Sequence, residues 1–339
     1  MTVAQNLGNG PVSSSRVGPI GVDGGAMLAP MSGVSDLGMR RAASRFGATL
    51  VFSEMVASRT FLGGDAESRL RAQVDGVGLH AVQLVGREPR AMGEAARRVE
   101  GAGARVVDIN MGCPARRVAG GLAGSALMRD LDHASRIIES VVAAVSAPVT
   151  VKMRLGWDDC QRNAPQLARR AEKAGAAMIT VHGRTRRQFF RGRADWRAVG
   201  DVVAEVGVPV VVNGDCRSLE DARAMLAASG ARAVMIGRAA VGAPWIVGAI
   251  ARALQTGAPF AEPPLDERCD AALSHLDSLL AALGGRAGLR HARRHLAAYA
   301  EKAGAAPAIR FALVTSEDAD VVMGFLARVF ESAEGREAA

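Results

Sequence analysis

The stretch VVDINMGCPARRVAGGLAGSALMRD, residues 106–130, determines how the rest of the chain is interpreted. It opens with an apolar run over residues 106–110, which is short enough to be a buried strand. Pro114 cannot donate to a strand ladder and pushes Cys113 towards an extended or turn conformation, and a glycine-rich loop follows. A single thiol is therefore predicted where a strand ends and a loop begins. In a parallel α/β fold this is the functional end of the strand, although a lone cysteine is more often a small buried core residue.

Length and composition limit the class of protein. With 339 residues, 49% of them hydrophobic, the chain can form one large domain and a smaller one. Its four cysteines lie far apart, which argues against a disulfide framework or a zinc site and predicts no bound metal. Residues 1–18 lack the apolar segment of a secretory signal, and no stretch approaches the ~20 apolar residues of a membrane span. We expect a cytoplasmic protein with no membrane partner, in which residues 1–18 form a flexible tail.

The charge is positive and unevenly distributed. The formal net charge is +8, yet residues 263–339 carry nine Lys or Arg and eleven Asp or Glu, so the positive excess lies before residue 263. The densest basic run is RTRRQFFRGRADWR, residues 184–197. A basic soluble protein often binds nucleic acid or another polyanion. The basic composition of a whole proteome would raise the net charge in the same way.

Lys152 stands out because the chain contains only three lysines. It lies inside the apolar run 148–153, whereas the other two lie in polar helical segments. A compact ammonium at a strand end can act as a point charge or proton donor where a guanidinium would not fit. The alternative is a lysine that simply reaches solvent from the end of a strand.

Eight short apolar runs alternate with amphipathic helical patterns. Strands without polar alternation, separated by helices, predict a parallel sheet that is covered on both faces. Eight such units match a (β/α)8 TIM barrel. No glycine fingerprint of the dinucleotide type follows the first run, so we prefer the barrel to a doubly wound open sheet. The predicted strands cover residues 26–31, 49–55, 80–85, 106–110, 148–153, 178–182, 209–213 and 233–237.

The same patterns predict the domain boundaries. Residues 19–262 are expected to form the barrel, and Pro263-Pro264 begins a linker. Helical periodicity predicts a small all-helical domain over residues 263–333, followed by a frayed C-terminus over residues 334–339. This domain contains a second basic cluster, in which Arg290, Arg293 and Arg294 would share one helix face. Such a face is about as often a solvated surface as a binding surface.

Polar residues recur at the C-terminal ends of the predicted strands. A barrel would gather these ends at one mouth, where TIM-barrel enzymes carry out their chemistry. The last two ends bring glycines and backbone N–H groups together, which is the usual phosphate site of this fold. FMN would suit that site, with Lys152 beside the flavin ring, and a phosphorylated sugar would satisfy the phosphate argument equally. The polar residues are Ser32, Glu54, Gln83, Cys113, Lys152, His182, Asn213, Asp215 and Arg238.

Motifs at seven of the predicted strands resemble the tRNA-dihydrouridine synthases, most closely the bacterial DusB branch. They include LAPMSGVSD (28–36), DINMGCP (108–114), VKMR (151–154), VHGRT (181–185), NGD (213–215) and IGR (236–238). The resemblance runs from about residue 20 to residue 330. The sequence departs from the family pattern at Ala298, where relatives often carry Trp, and at Phe189-Phe190, where Tyr-x-Gly is common.

The resemblance implies an FMN-binding TIM barrel with a helical domain, and a tRNA held across both. NADPH (or NADH) would reduce the flavin, which would pass hydride to C6 of a D-loop uridine while Cys113 protonates C5. FMN would be held by Pro30, Met31, Ser32, Gln83, Lys152, His182, Asn213, Gly214, Asp215, Gly237 and Arg238. RNA phosphates would meet Arg184, Arg186, Arg187, Arg191, Arg290, Arg293 and Arg294, and we expect a monomer.

Two other functions remain open at the level of sequence. One is an FMN oxidoreductase that acts on a free pyrimidine or another small molecule; the arginine-rich loop and the helical domain count against it. The other is an RNA-binding protein that has lost catalysis. Binding of RNA alone requires neither a thiol, nor a lysine inside an apolar run, nor a phosphate site. This second function therefore leaves Cys113, Lys152 and the glycines of the predicted phosphate site unexplained.

Overall fold

The computed structural model describes residues 15–18, 20–22 and 25–337, and its strands form a short hairpin and a closed barrel. In chain order the strands are β1 (Ser15–Val17), β2 (Ile20–Val22), β3 (Ala26–Leu28), β4 (Leu50–Phe52), β5 (Val56–Ala57), β6 (His80–Val85), β7 (Val106–Met111), β8 (Val149–Arg154), β9 (Met178–His182), β10 (Val210–Asn213) and β11 (Ala233–Ile236). The barrel strands are parallel, and β11 pairs with β3. A pairing between β4 and β6 closes the ring. The predicted TIM barrel is therefore confirmed, and the open sheet is excluded.

Helices cover the outside of the barrel and form its C-terminal extension. They are α1 (Leu37–Arg45), α2 (Ser58–Leu62), α3 (Ala66–Ala72), α4 (Pro89–Gly101), α5 (Arg116–Ala119), α6 (Leu131–Val142), α7 (Ala164–Lys173), α8 (Arg197–Glu205), α9 (Leu219–Ser229), α10 (Trp245–Thr256), α11 (Leu265–Leu283), α12 (Gly285–Lys302), α13 (Pro307–Thr315) and α14 (Ala319–Glu337). Several begin at a side-chain cap, as α1 does at Asp36 and α6 at Asp130. These caps satisfy N–H groups that have no partner within the helix.

Alternate residues of the barrel strands point to different cores. Met27 and Phe52 belong to an apolar cluster inside the ring, whereas Leu28 and Val51 pack in a second cluster with the surrounding helices. Successive side chains of a strand point to opposite faces, and both faces of this sheet are covered. This explains why the strands are buried along their length, including polar residues such as Asp108 and Thr150.

Helices α11–α14 build a third core that extends to helix α10 on the outside of the barrel. Tyr299 on α12 is buried at its centre and stacks against Trp245 of α10, with ring centroids 6.2 Å apart. The helical part of the chain therefore packs on the barrel through apolar contacts. Among the described residues, no helix combines the length and apolar composition needed to cross a membrane.

The structure describes part of both ends that were predicted to be flexible. Residues 15–17 of the expected tail pair with β2, and Val17 is fully buried in the cluster inside the barrel. Helix α14 extends to Glu337, into the stretch that was expected to fray. The flexibility of these ends stays a prediction. Residues 1–14 and 338–339 lie outside the described residues.

Candidate active site

Parallel register brings the predicted site residues to one level at the barrel mouth. Asn110 on β7 pairs with Lys152 on β8, and His182 on β9 pairs with Asn213 on β10. The Lys152 ammonium donates to Asn213 Oδ1 at 3.0 Å, across the intervening strand β9. Residues that are about 60 positions apart in the sequence thus make a direct contact.

The loop that carries Cys113 is held by Asn110. The backbone N–H groups of Gly112 and Cys113 both donate to Asn110 Oδ1, at 3.1 and 2.9 Å. Ser125 fixes the other side, because its hydroxyl and its backbone N–H donate to the Cys113 carbonyl at 2.8 and 3.1 Å. Cys113 is half-buried, and its backbone is held on both sides. Asn110 lies within the DINMGCP motif, but nothing in the sequence indicates this supporting role.

A buried polar network lies beneath this loop. Asn110 Nδ2 donates to Gln83 Oε1, and Gln83 Nε2 donates to Asp108, both at 2.7 Å. The Thr150 hydroxyl donates to the second Asp108 oxygen at 2.5 Å. Burial raises the pKa of Asp108 to about 7, against the lowering effects of Thr150, Gln83 and Lys152. Gln83 is therefore bound on both sides of its amide, and each amide atom keeps capacity for one further hydrogen bond.

Arg154 connects the Cys113 loop to the arginine-rich loop after β9. It is almost fully buried, and its Nε donates to the Gly112 carbonyl at 2.8 Å. Its Nη1 donates to the carbonyls of Thr185 and Phe189, at 3.0 and 2.9 Å. Burial lowers the pKa of Arg154 to about 10, which leaves it charged at neutral pH. Sequence reasoning did not assign this residue to the site.

Cations and burial set the protonation of the neighbouring groups. Burial, with Arg154 nearby, lowers the pKa of Lys152 to about 8. Burial lowers the pKa of His182 well below its ordinary value, and the nearby cations Arg154 and Lys152 lower it further. His182 is therefore a neutral imidazole at neutral pH, available as a hydrogen-bonding group beside a cation.

The expected phosphate site contains a tightly paired carboxylate. Asp215 accepts from Arg184 at 2.6 Å and from Arg238 at 3.1 Å. Burial opposes its charged form, but Arg184 and the Ala194 N–H outweigh burial and lower the pKa of Asp215. The Arg238 side chain remains 67% exposed at the mouth. At Gly214, with φ +120°, an added Cβ would lie 2.9 Å from the His182 ring, so the close approach of the two requires glycine.

The expectation that Arg184 meets RNA is wrong. Its side chain is 2% exposed, and besides Asp215 it donates to the carbonyls of Arg191 and Gly192. Its role is to hold the loop that follows β9. Arg186, two residues later, is half-buried, and Arg187 and Arg191 are exposed. Sequence position alone did not separate the buried arginine from its neighbours.

The first barrel loop completes the mouth. Met31 N–H donates to the Ser35 hydroxyl at 2.8 Å, and Gly33 N–H donates to Glu54 at the end of β4. Burial raises the pKa of Glu54, against the lowering effect of that N–H. Gly237 lies across from this loop, since an added Cβ would meet Met31 Sδ at 3.5 Å. The predicted residues Pro30, Met31 and Ser32 therefore share the mouth with the ends of β10 and β11.

Arginines and aromatic rings line a cavity of about 540 Å³ beside the site. The Arg186 guanidinium lies 4.7 Å from the Trp157 ring and 5.8 Å from the Phe189 ring. Phe190 is 53% exposed, with Arg154 and Arg238 beside its ring. The lining residues are Arg116, Arg186, Arg187, Phe189, Phe190 and Arg191.

Helix α12 brings the second basic cluster to the same face of the molecule. Arg290 and Arg294 are exposed, whereas Arg293 is half-buried. Arg294 donates to the Gly33 carbonyl in the first barrel loop at 3.2 Å. This contact places the basic face of α12 directly beside the barrel mouth.

A buried carboxylate joins the barrel to the helical part. His275 Nε2 on α11 lies 3.1 Å from Asp36 Oδ1, and His295 Nε2 on α12 lies 3.2 Å from Asp36 Oδ2. The other ring nitrogen of His275 lies 3.1 Å from the Tyr299 hydroxyl. Burial opposes the charge on Asp36, but His275 and His295 outweigh burial and hold its pKa well below the usual range. That no metal is bound stays a prediction.

Comparison with known proteins identifies the family. The dihydrouridine synthase (Dus) family model matches residues 27–333. The chain belongs to the dihydrouridine synthase family. Dihydrouridine synthases are oxidoreductases, and the predicted resemblance is thereby confirmed. A "Probable tRNA-dihydrouridine synthase" from Rhodobacter capsulatus is 50% identical over 315 residues, which cover 92% of this chain and 97% of that protein. A "tRNA-dihydrouridine synthase B" from Xanthomonas campestris is 44% identical, covering 84% of this chain and 86% of that protein.

Solved structures support the fold of this dihydrouridine synthase family member. An old yellow enzyme homologue from Zymomonas mobilis matches with a TM-score of 0.53 at 16% identity. The match covers 76% of this chain and 95% of that structure. At this identity the likeness shows a shared barrel fold.

Proposed function

We propose that this protein is a tRNA-dihydrouridine synthase that reduces the C5–C6 double bond of a D-loop uridine in tRNA. Family membership and the names of its relatives support a tRNA substrate. The observation that carries the proposal is the position of Cys113. Its loop is held by Asn110 at the barrel mouth, at the end of the strand beside the Lys152 strand.

The mouth has the chemistry that FMN requires. Lys152 would supply a cation, His182 and Gln83 would supply hydrogen bonds, and exposed Arg238 would meet the phosphate. Gln83 supports the fit, because each atom of its buried amide keeps capacity for one further hydrogen bond. When bound, FMN supplies the hydride for C6 after accepting two electrons from NADPH (or NADH). The remaining residues proposed to hold FMN are Pro30, Met31, Ser32, Asn213, Asp215 and Gly237.

Cys113 would act as the general acid. Its thiol donates a proton to C5 while hydride adds to C6, so the uracil gains two hydrogens and the reductant loses two electrons. The thiolate that remains recovers its proton from water, which the half-buried position allows. General acid catalysis of this kind contributes about 10²–10⁴-fold.

The tRNA would lie across the barrel mouth and the helical domain. Arg186, Arg187 and Arg191 line one side, and exposed residues of α12 lie beside the first barrel loop. Phosphate contacts from arginine carry no sequence information but supply affinity and orientation. The proposed RNA-binding residues on α12 are Arg290, Arg293 and Arg294. We further infer a monomeric cytoplasmic enzyme, because one chain supplies the whole site and its four cysteines are unpaired, as in a reducing compartment.

The test uses tRNA that lacks dihydrouridine. The purified protein and NADPH are incubated with it, and a two-dalton gain is mapped by nuclease digestion and mass spectrometry. We expect a gain at one D-loop uridine, lost with Cys113→Ala and kept with Cys160→Ala, which removes an exposed thiol elsewhere. No gain from flavin-loaded protein that oxidises NADPH would indicate a small-molecule reductase. No gain from colourless protein that binds tRNA would indicate a non-catalytic RNA-binding protein.

A further inference from the structure

Leu122 is a large apolar side chain exposed to solvent on the loop that carries the proposed proton donor. The residue is 58% exposed. Its backbone is fixed nonetheless, since Leu122 N–H donates to the Ala119 carbonyl at 3.1 Å and Ala123 N–H to the Val118 carbonyl at 3.2 Å. A rigid turn therefore presents an apolar side chain to water. Core packing does not account for the leucine.

The backbone conformation at Leu122 is one in which a leucine is unexpected. Its φ is +57°, in the left-handed region that favours glycine and is unfavourable for a residue with a Cβ. Among the described residues, the other non-glycine positions with positive φ are Phe189 and Asp215. All three lie on loops at the barrel mouth, after β7, β9 and β10. Strain of this kind concentrates at functional sites, so the side chain of Leu122 has a use outside the fold.

The position of the loop limits what that use can be. Gly124, two residues after Leu122, packs against Cys113, since an added Cβ would lie 3.2 Å from the Cys113 Cβ. Exposed Arg116 and Arg117 begin helix α5 in the same segment between β7 and α6, and Arg116 also lines the arginine cavity. An apolar tip on the segment that carries the proposed proton donor is thus accompanied by cations that suit phosphates.

We propose that Leu122 is a wedge that enters the RNA base stack when the target uridine leaves it. This inference rests on the proposed function. Hydride and proton cannot reach C5 and C6 while neighbouring bases cover both faces of the uracil, so the base must leave the stack. Proteins that open base steps insert apolar side chains such as leucine into the gap. Leu122 would fill the space that the uridine vacates, and Arg116 and Arg117 would hold the adjoining phosphates.

Phe190, the other exposed apolar residue at the mouth, is less suited to this role. Its ring packs edge-on against Phe189 at 5.9 Å, and Arg154 and Arg238 lie beside it. It forms a fixed side of the arginine cavity. Leu122 projects from a turn whose contacts are made by the backbone, and it is therefore free to insert.

The test compares Leu122→Gly with Leu122→Met and with Phe260→Ala, which removes an exposed ring outside the mouth. Glycine suits the left-handed backbone, so Leu122→Gly should keep the melting temperature of the wild type. Its kcat/KM for dihydrouridine formation should fall about tenfold or more, given the apolar area that a buried leucine removes from water. Leu122→Met and Phe260→Ala should stay within about twofold, because both keep an apolar wedge.

A second readout follows the stack itself. A tRNA with 2-aminopurine next to the target uridine should brighten when wild type or Leu122→Met binds, and should not brighten with Leu122→Gly. NADPH oxidation with dioxygen as acceptor is measured on the same samples. A loss confined to the RNA readouts supports the wedge. Wild-type rates and fluorescence in Leu122→Gly, or equal losses in RNA reduction and NADPH oxidation, overturn it. If wild-type protein forms no dihydrouridine, the proposed function fails and the wedge with it.

Discussion

Replacing Asp36 by asparagine tests whether a buried charge fastens the helical part of the chain to the barrel. The carboxylate contacts His275 and His295 at 3.1–3.2 Å and also caps α1, where it accepts from Met39 N–H at 3.0 Å. Asp36→Asn preserves the cap, because asparagine and aspartate are about equally good at that position. It removes the charge that both histidines face. The variant therefore separates the charge from the cap within a single side chain.

The structure sets the expected size of the effect. A hydrogen bond to a charged group contributes about 1.5–3 kcal/mol. Because asparagine can still form one of the two histidine contacts, we expect the free energy of unfolding to fall by about 2–3 kcal/mol. The depressed pKa of Asp36 means that this contribution is fully present above its unfolded pKa, about 4, and is lost as the pH falls through the folded value.

Urea unfolding at pH 7, followed by circular dichroism, measures the difference. Asp130→Asn is the matched control, since Asp130 caps α6 through His133 N–H at 2.9 Å and is exposed. We expect this control to unfold with the wild type. An Asp36→Asn protein within about 0.5 kcal/mol of the wild type would refute the reasoning. An equal loss in Asp130→Asn would refute it as well, because the effect would then belong to the cap.

Two further predictions concern the barrel mouth. Asn110→Ala leaves the N–H groups of Gly112 and Cys113 without their acceptor. The rate of dihydrouridine formation in a single turnover should fall about 100-fold, because the thiol is then misplaced. A rate within about twofold of the wild type would contradict this. Lys152, whose pKa burial lowers to about 8, is charged below that pH and neutral above it, so the rate should decline above pH 8. Lys152→Met should be slower and lack the part of this decline that begins near pH 8, and a wild-type rate that stays constant to about pH 10 would exclude a role for the ammonium.

Much of the fold could be predicted because burial leaves a local mark on the sequence. β9 covers residues 178–182 as predicted, and β7 ends one residue beyond the predicted range. Both are buried along their whole length, as a parallel sheet covered on both faces requires. Element ends were less predictable. The first predicted strand, residues 26–31, corresponds to β3, which ends at Leu28. Pro30 has no N–H to donate to a neighbouring strand, and a turn follows it.

The site could be predicted only as far as its strand ends. The motifs placed Cys113, Lys152, His182 and Asn213 at one mouth, and the register of the barrel brings them there. The contacts that hold these residues in place could not be predicted from the sequence. Arg154 reaches three carbonyls on two loops, and its use of backbone acceptors has no counterpart in any sequence pattern.

The barrel, the helical extension and the family could all be predicted from the chain, because apolar periodicity and short motifs are local properties. Which polar residues face solvent, and which face each other, depends on the packing of the folded chain. Arg184 and Arg187 lie in the same basic run of the sequence. Arg184 is nevertheless buried in an ion pair with Asp215, whereas Arg187 is exposed. Asp36 meets His275 across 239 positions of chain. Such pairings depend on how whole elements pack, and packing brings together residues whose spacing in the chain carries no signal.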